Sequence, residues 1–411
     1  MTKTRLWSLQ LLFGWMNLVL AVPSIYLMFG MPLVMRQHGW SGSEIGVFQL
    51  AALPAVFKFL LALPVQRLRL GKGHFVHWLL LLGLALLALF WLIGRQNLIE
   101  QRLPLFLLTF AISIAATWAD IPLNALAVQC LPRSEQLRAG SIRAAALFLG
   151  AIVGGGLMLL VQARLGWEMP FLLMGAALAI GSLPFLFLRG SAGLEAAPAQ
   201  GRAQGFAADW AGFFGQPGAH QWTWLLLTGF PFIGAAWLYL KPLLLDQGLP
   251  LEQVAWIVGI AGGVTGALFS LIGGRLIPML GTARAIVLYL LAALAALLLL
   301  SLTVWAQLGP RWLVASALLL AASMGAVSAL MFGLTLFFTR RQRNAADYGL
   351  QSTLFTLTRL AVPVAAGVML DRLGQVGMLL GLSLGVLCAF ALAWRVRHSV
   401  GRRAEELLAA E

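Results

Sequence analysis

Five charged side chains interrupt otherwise apolar stretches of the chain, and these are the residues best able to do chemistry. Asp120 is the only carboxylate deep in such a stretch. Beside a base it could carry a proton or act as a fixed counter-charge, because desolvation favours its neutral form and a cation its charged form. Lys58 lies at a similar depth, so Asp120 and Lys58 are the predicted proton-coupling residues. Arg359, Lys241 and Arg143 are the remaining three.

Guanidinium and ammonium groups inside apolar stretches point to an anionic ligand. Arg359 lies near the centre of its stretch, where a rigid guanidinium can bind a carboxylate, phenolate or phosphate. Lys241 lies near the end of its stretch and could attract an anion or extend to the interface. Arg143 begins its stretch, which suits a gating or orienting residue. The structural alternatives are an ion pair alone for Asp120, and for Arg359 the capping of carbonyls freed by Pro363.

Polar and aromatic side chains in the same stretches extend the predicted substrate-binding set. The aromatic members could stack on an aromatic ligand, although tryptophan is also common at membrane interfaces and in cores. Together with Arg359 and Lys241 the predicted set comprises Asn124, Asn17, Gln49, Gln351, Trp118, Trp237 and Tyr239.

The elements that must hold these residues are transmembrane helices. Hydrophobic residues make up 61% of the 411 residues and charged residues 10%, against ~25% charged in soluble domains. A membrane-spanning helix needs ~20 mainly apolar residues. Twelve segments meet this requirement, so an all-α membrane protein is predicted: 8–34, 45–66, 75–94, 104–129, 141–163, 168–188, 222–245, 252–274, 283–306, 311–338, 347–370 and 375–395.

The net charge of +14 is explained by orientation rather than by nucleic-acid binding. With both termini in the cytoplasm, most of the 28 lysines and arginines fall in cytoplasmic loops or tails, as the positive-inside rule requires. Arg67, Arg143 and Arg275 are among them and are the predicted gating residues.

The two halves of the chain repeat. Pro23 corresponds to Pro231 and Arg67 to Arg275, both at an offset of 208 residues. The predicted organisation is an N-terminal six-helix bundle, a cytoplasmic linker, a C-terminal six-helix bundle and a cytoplasmic tail, at 1–188, 189–221, 222–395 and 396–411. This arrangement resembles the major facilitator superfamily, whose loop signature is partly echoed by Arg67, Gly71 and Lys72. The resemblance implies a ligand site near the midplane between the halves.

Several short motifs resemble the AmpG-like permeases within that superfamily. These are Val56-Phe57-Lys58-Phe59-Leu60, Ala119-Asp120-Ile121-Pro122-Leu123-Asn124-Ala125, Leu165-Gly166-Trp167, and Arg359 followed by Pro363 and Gly367. The family's second acid in the fourth helix is Asn124 here, and the lysine and aspartate of its seventh helix are absent. With these departures the chain looks most like the RhtX/FptX siderophore permeases.

The resemblance implies a proton-coupled inner-membrane importer of an anionic or metal-chelating cargo such as a ferri-siderophore, working by alternating access. It implies a monomer without an enzymatic activity, a cofactor or a bound metal, acting downstream of an outer-membrane siderophore receptor and partnered by the lipid bilayer. Three alternatives remain: an anhydro-muropeptide or small-anion permease, a non-transporting membrane assembly factor on the same fold, and an efflux pump, which the fold does not exclude.

Overall fold

Long apolar segments can satisfy their backbone hydrogen bonds in a membrane only as helices or closed barrels, and here they form helices. The computed structural model describes residues 3–71, 73–188 and 206–409, and in these ranges no strand is present. Lys72 and residues 189–205 of the predicted linker lie outside the described ranges.

Eleven helices in the described ranges are long and apolar enough to cross a membrane. They are α1 Lys3–Gln37, α2 Glu44–Arg67, α3 His74–Arg95, α4 Arg102–Cys130, α5 Arg133–Leu165, α6 Glu168–Leu188, α7 Ala219–Asp246, α8 Glu252–Leu280, α9 Thr282–Trp305, α10 Pro310–Phe337 and a last helix, Asn344–Leu407.

The last helix is broken at Gly374, which accounts for the predicted twelfth span. Gly374 has φ 69° and ψ −175°, a conformation open essentially to glycine alone. The two parts are α11, 344–373, and α12, 375–407. The predicted all-α class with about twelve membrane helices is therefore confirmed.

Irregular turns interrupt two helices of the first half near their prolines. α1 contains a π-helical segment, Tyr26–Gly30, after Pro23, and α2 contains a 3-10 segment, Leu50–Ala55, that includes Pro54. The Gln49 side chain donates a hydrogen bond of 2.8 Å from Nε2 to the Met28 carbonyl. The two irregular segments are thus joined to each other.

The described helices group into two compact units. The first comprises Met1–Leu131, Leu149–Asp209 and Thr339–Thr353. Within it, α1 and α3 each pack on both α4 and α6. Gly154 lies so close to α1 that an added Cβ would come 2.7 Å from the Val22 carbonyl oxygen, a close approach of two helices that small residues permit.

The second unit comprises Pro132–Phe148, Trp210–Phe338 and Leu354–Glu411. Within it, α10 is central and packs on α7, α8 and α9. Gly266 of α8 packs directly on Gly325 of α10 and on the Phe148 ring. The division of the sequence into two six-helix halves remains a prediction. The two units differ from it by holding 132–148 with the second half and 339–353 with the first.

A buried ion pair in the first unit fixes the turn between α10 and α11. Arg340 binds Asp347 in bidentate fashion, with Nε–Oδ2 and Nη2–Oδ1 distances of 2.8 and 2.7 Å. Arg340 Nη2 also donates to the carbonyl of Asp209, which belongs to a short helix, Phe206–Phe214, inside the predicted linker. Burial alone would lower the pKa of Arg340, but the hydrogen bonds and charge of Asp347 raise it above the ordinary value.

Candidate functional site

The Asp120 carboxylate receives hydrogen bonds from three side chains of the first unit. Lys58 Nζ and Tyr348 Oη each lie 2.6 Å from Oδ2, and Asn124 Nδ2 lies 2.9 Å from Oδ1. These donors belong to α2, α11 and α4. The side chains of Lys58 and Asp120 are only 11% and 15% exposed. The predicted pairing of Lys58 with Asp120 at one depth is therefore present, and we call these four residues the Asp120 cluster.

Local backbone geometry positions each member of the cluster. Lys58 is the first residue of regular α-helix after the irregular segment of α2. Asn124 lies one turn beyond Asp120, where side chains four apart share a face, and it also donates to the Asp120 carbonyl at 2.7 Å. Tyr348 lies in the first turns of α11, and its ring centre is 5.4 Å from Lys58 Nζ.

The cluster can respond to a proton. An ionised carboxylate only accepts hydrogen bonds, and it can accept several at once. Hydrogen bonds from a cation or to a carboxylate are roughly twice as strong as neutral ones. A proton on Asp120 removes its charge from Lys58 and leaves one oxygen as a donor. Protonation therefore weakens the hydrogen bonds that Asp120 accepts from Lys58 and from Tyr348 at the same time.

The first turns of α11 are attached to α2 and α4 beyond this cluster. Gln66 Oε1, at the end of α2, accepts from the backbone amide of Ala345 at 3.2 Å. Asn344 Nδ2 donates to the Ala125 carbonyl of α4 at 3.2 Å. We call residues 339–353, all of which belong to the first unit, the α11 latch.

Two further contacts hold the α11 latch against α2. The Phe59 amide donates to Thr353 Oγ1 at 3.1 Å. Gly349 sits so close to α2 that an added Cβ would come 2.6 Å from the Cβ of Ala62. The α11 latch therefore contacts α2 both at its end, through Gln66, and about two turns earlier, through Phe59.

In the second unit, aromatic rings collect beside predicted basic residues. Phe355 of α11 packs on Phe230 of α7 and Phe332 of α10, with ring centres 5.2 and 5.6 Å apart. The Arg143 guanidinium lies 5.0 Å from the centre of the Phe332 ring. Arg359 follows Phe355 by four residues and so shares its helix face. We call the three phenylalanines the phenylalanine cluster.

Two bases of the second unit remain uncompensated. The side chains of Arg359 and Lys241 are exposed, and neither has an ion-pair or hydrogen-bond partner within the described ranges. Arg275, a predicted gating residue, is likewise exposed at the end of α8.

The other predicted residues of the second unit make packing contacts. Tyr239 Oη donates to the Pro363 carbonyl at 3.0 Å. Trp237 is in close contact with Gly262 of α8. Both side chains therefore join α7 to a neighbouring helix.

Most of the other predicted residues of the first unit form hydrogen bonds or packing contacts within the protein. Asn17 donates to the Phe13 carbonyl, and Gln351 donates to Thr339 Oγ1 and the Asp347 carbonyl, inside the α11 latch. Trp118 packs on Trp78 with ring centres 5.5 Å apart. Arg67 is exposed at the end of α2. Asn124, one of the predicted substrate-binding residues, is itself a member of the Asp120 cluster.

Tyr348 is the residue of the cluster that sequence reasoning missed. It stands 228 positions from Asp120, in the first turn of a predicted helix where a tyrosine normally marks the membrane interface. Its rarity, as one of four tyrosines in the chain, is the single signal that could have drawn notice.

Comparison with known proteins defines the class of this chain. The profile of the Major Facilitator Superfamily matches residues 11–363, so the chain belongs to that superfamily and is a multi-pass membrane transporter. Solved structures share the fold. FucP, a transporter of the superfamily solved in the outward conformation, has a TM-score of 0.73 and 18% identity, covering 94% of this chain and 98% of FucP. A variant of the E. coli fucose:proton symporter FucP gives 0.74 and 17% over the same shares.

Proposed function

We propose that the protein is a proton-coupled importer of an anionic solute in the bacterial inner membrane, working by alternating access with both termini in the cytoplasm. The observation that carries this proposal is the Asp120 cluster. One buried, titratable carboxylate binds Lys58 of α2 and Tyr348 of the α11 latch at once. The similar fold of a fucose:proton symporter supports the proposal.

In the proposed cycle, the charge of Asp120 controls the α11 latch. Ionised Asp120 holds Tyr348, and the amides of Gln66 and Asn344 hold the same segment. Protonation from the periplasm releases Tyr348 and separates Lys58 from its counter-charge. The latch can then leave α2 and α4, which opens the cytoplasmic side. Release of the proton to the cytoplasm restores the closed arrangement.

An anionic cargo follows from the uncompensated bases. A charged side chain at the centre of a membrane helix costs ~2.5–3.5 kcal/mol on insertion scales. Lys58 offsets this cost through Asp120, whereas Arg359, near the centre of its stretch, has no such partner in the described ranges. Lys241, near the end of α7, has none there either. A cargo carboxylate or phenolate would supply the missing charge, and bidentate binding suits a guanidinium.

Within this class, a siderophore is the favoured cargo. The resemblance to the RhtX/FptX permeases supports it. The phenylalanine cluster next to Arg359 on α11 supports it as well, because aryl siderophores such as pyochelin combine an aromatic ring with acidic groups. An anhydro-muropeptide is also anionic but brings sugars instead of an aryl ring, and it is the alternative cargo.

Proton coupling is tested with purified protein in liposomes. Asp120→Asn is expected to abolish accumulation of the cargo driven by an imposed proton gradient, while exchange of labelled for unlabelled cargo continues. Asp371→Asn, at an exposed aspartate, is the matched control and is expected to accumulate cargo as the wild type does. Full gradient-driven accumulation by Asp120→Asn would refute the proposal.

Cargo identity is tested in cells lacking the gene. Iron-labelled ferri-pyochelin uptake is expected to require the wild-type protein and to fall at least tenfold in Arg359→Gln. Uptake of labelled anhydro-muropeptide instead would identify the alternative permease. Binding or uptake of neither, with loss of a membrane complex in the deletion strain, would identify an assembly factor.

A further inference from the structure

A small hydroxyl-lined cavity lies inside the first unit, between α1, α2 and α4. Its volume is about 90 Å³, and four of its lining residues carry hydroxyl groups: Ser24, Thr109, Ser113 and Thr117. Water occupies ~30 Å³ per molecule in the liquid, so the cavity has room for about three waters.

The hydroxyl groups of this cavity differ from those elsewhere in the helices. Ser182, Thr303 and Ser383, for example, each donate to the carbonyl four residues earlier, which is the common solution for such residues. Thr109 Oγ1 is fully buried and has no partner in the described ranges. No bond within those ranges engages Ser24, Ser113 or Thr117. A buried polar group of this kind is usually satisfied by water.

The cavity lies one turn from the Asp120 cluster. Three of its hydroxyls, on Thr109, Ser113 and Thr117, recur every four residues and so follow one face of α4. Asp120 comes three residues after Thr117, a rise of ~4.5 Å. On α2, Ala55 lines the cavity and Lys58 follows it by three residues. The hydroxyl row therefore leads along α4 to the titratable carboxylate.

The other end of the row faces the outer ends of the same helices. The Glu44–Arg102 ion pair, with a distance of 2.8 Å, joins the first turns of α2 and α4. In the proposed orientation these turns lie on the periplasmic side. The cavity is thus placed between the periplasm and Asp120.

We propose that this cavity holds a short chain of water molecules through which periplasmic protons reach Asp120. Each hydroxyl accepts a hydrogen bond from one water and donates to the next, so proton transfer leaves the hydroxyl groups chemically unchanged. The inference rests on the proposed function, since it assumes that Asp120 is the proton site.

Other titratable groups on the packed helices are engaged or distant in sequence from the row. Tyr26 of α1 donates to Gln162 at 2.6 Å, and His74 of α3 bonds the Val65 carbonyl at 2.6 Å. The remaining charged or titratable residues of α1 to α4 lie near helix ends, apart from the cluster itself: Lys3, Arg5, Arg36, His38, Glu44, Arg67, His77, Arg95, Arg102 and Cys130.

The test measures the rate at which Asp120 takes up a proton. Infrared difference spectra after a pH jump report the carboxyl band, which is assigned by its loss in Asp120→Asn. Ser113→Leu, which fills the cavity, and Thr117→Val, which removes a hydroxyl at nearly constant size, are expected to slow protonation at least tenfold and to slow gradient-driven uptake equally. Ser182→Ala and Thr303→Val are matched controls expected to retain the wild-type rates.

Two results would overturn the inference. Wild-type protonation rates in both Ser113→Leu and Thr117→Val would show that protons reach Asp120 by another route, while the Asp120→Asn result still judges the proposed function separately. Uptake driven by a sodium gradient alone, and lost in Thr117→Val, would show that the hydroxyls hold a cation instead of a water chain.

Discussion

At Asp120 a single carboxylate coordinates donors from three helices, and its protonation state sets the interactions of all of them. In the proposed cycle, proton coupling is therefore a local event at one side chain. Lys58 supplies the counter-charge, Asn124 orients the carboxylate, and Tyr348 connects the carboxylate to the α11 latch. Each of the three donors has a role that a substitution can separate from the others.

Loss of the Tyr348 hydroxyl should uncouple the α11 latch from the proton. A hydrogen bond to a charged group contributes ~1.5–3 kcal/mol, and removing it disfavours ionised Asp120. Tyr348→Phe is therefore expected to move the pH of half-maximal uptake upward by about one unit, measured in liposomes. Tyr289→Phe, which loses a buried bond to the Gly273 carbonyl, is the control. An equal shift in both variants would contradict the assignment.

Lys58 and Asp120 should be strongly non-additive in stability. Removing one partner of a buried ion pair costs ~3–5 kcal/mol because the other charge is left uncompensated. Lys58→Met is thus expected to lower the melting temperature markedly, and the double variant Lys58→Met, Asp120→Asn to recover most of the loss. Additive losses in thermal unfolding would show that the two side chains act independently.

At the level of helices, much of the fold followed from the sequence because membrane helices are read from length and hydropathy. Twelve spans were predicted, and the break at Gly374 supplies the twelfth. The Lys58–Asp120 pair was also predictable from the sequence, because opposite charges at the same depth in a membrane usually pair with each other. The α11 latch was not, because its bonds use backbone groups and amides such as Gln66 and Asn344, whose partners no sequence pattern specifies.

Movement of the α11 latch away from α2 should be required for transport. In a chain lacking Cys130 and Cys388, the double variant Phe59→Cys, Thr353→Cys puts thiols on two neighbouring residues, since the Phe59 amide lies 3.1 Å from Thr353 Oγ1. Oxidation is expected to stop uptake, and reduction to restore it.

A second cysteine pair serves as the control for this cross-link. Glu44→Cys with Arg102→Cys joins α2 to α4, both of which belong to the first unit, and its oxidation is expected to leave most uptake intact. Uptake that continues with the Phe59–Thr353 cross-link formed would show that the latch stays in place during the cycle.

On the scale of the whole molecule, the +14 charge predicts the orientation of the chain in the membrane. Green fluorescent protein fused after Glu411 is expected to fluoresce, and alkaline phosphatase inserted after Gln96, between α3 and α4, to be active. Phosphatase inserted after Gly71, between α2 and α3, is expected to be inactive. The reverse pattern would place the hydroxyl cavity on the cytoplasmic side of Asp120.

The amides of Gln66 and Asn344 make the attachment of the α11 latch insensitive to ionic strength. Ion pairs between exposed charges would not have this property. Mobile ions screen exposed charges over a Debye length that shrinks from ~30 Å at 0.01 M to ~3 Å at 1 M ionic strength, and buried pairs far less. The contacts that hold the latch come from neutral side chains and from the buried Lys58–Asp120 and Arg340–Asp347 pairs, so they should hold equally well at low and high ionic strength. In the proposed cycle, the cytoplasmic side would then stay closed during osmotic shock.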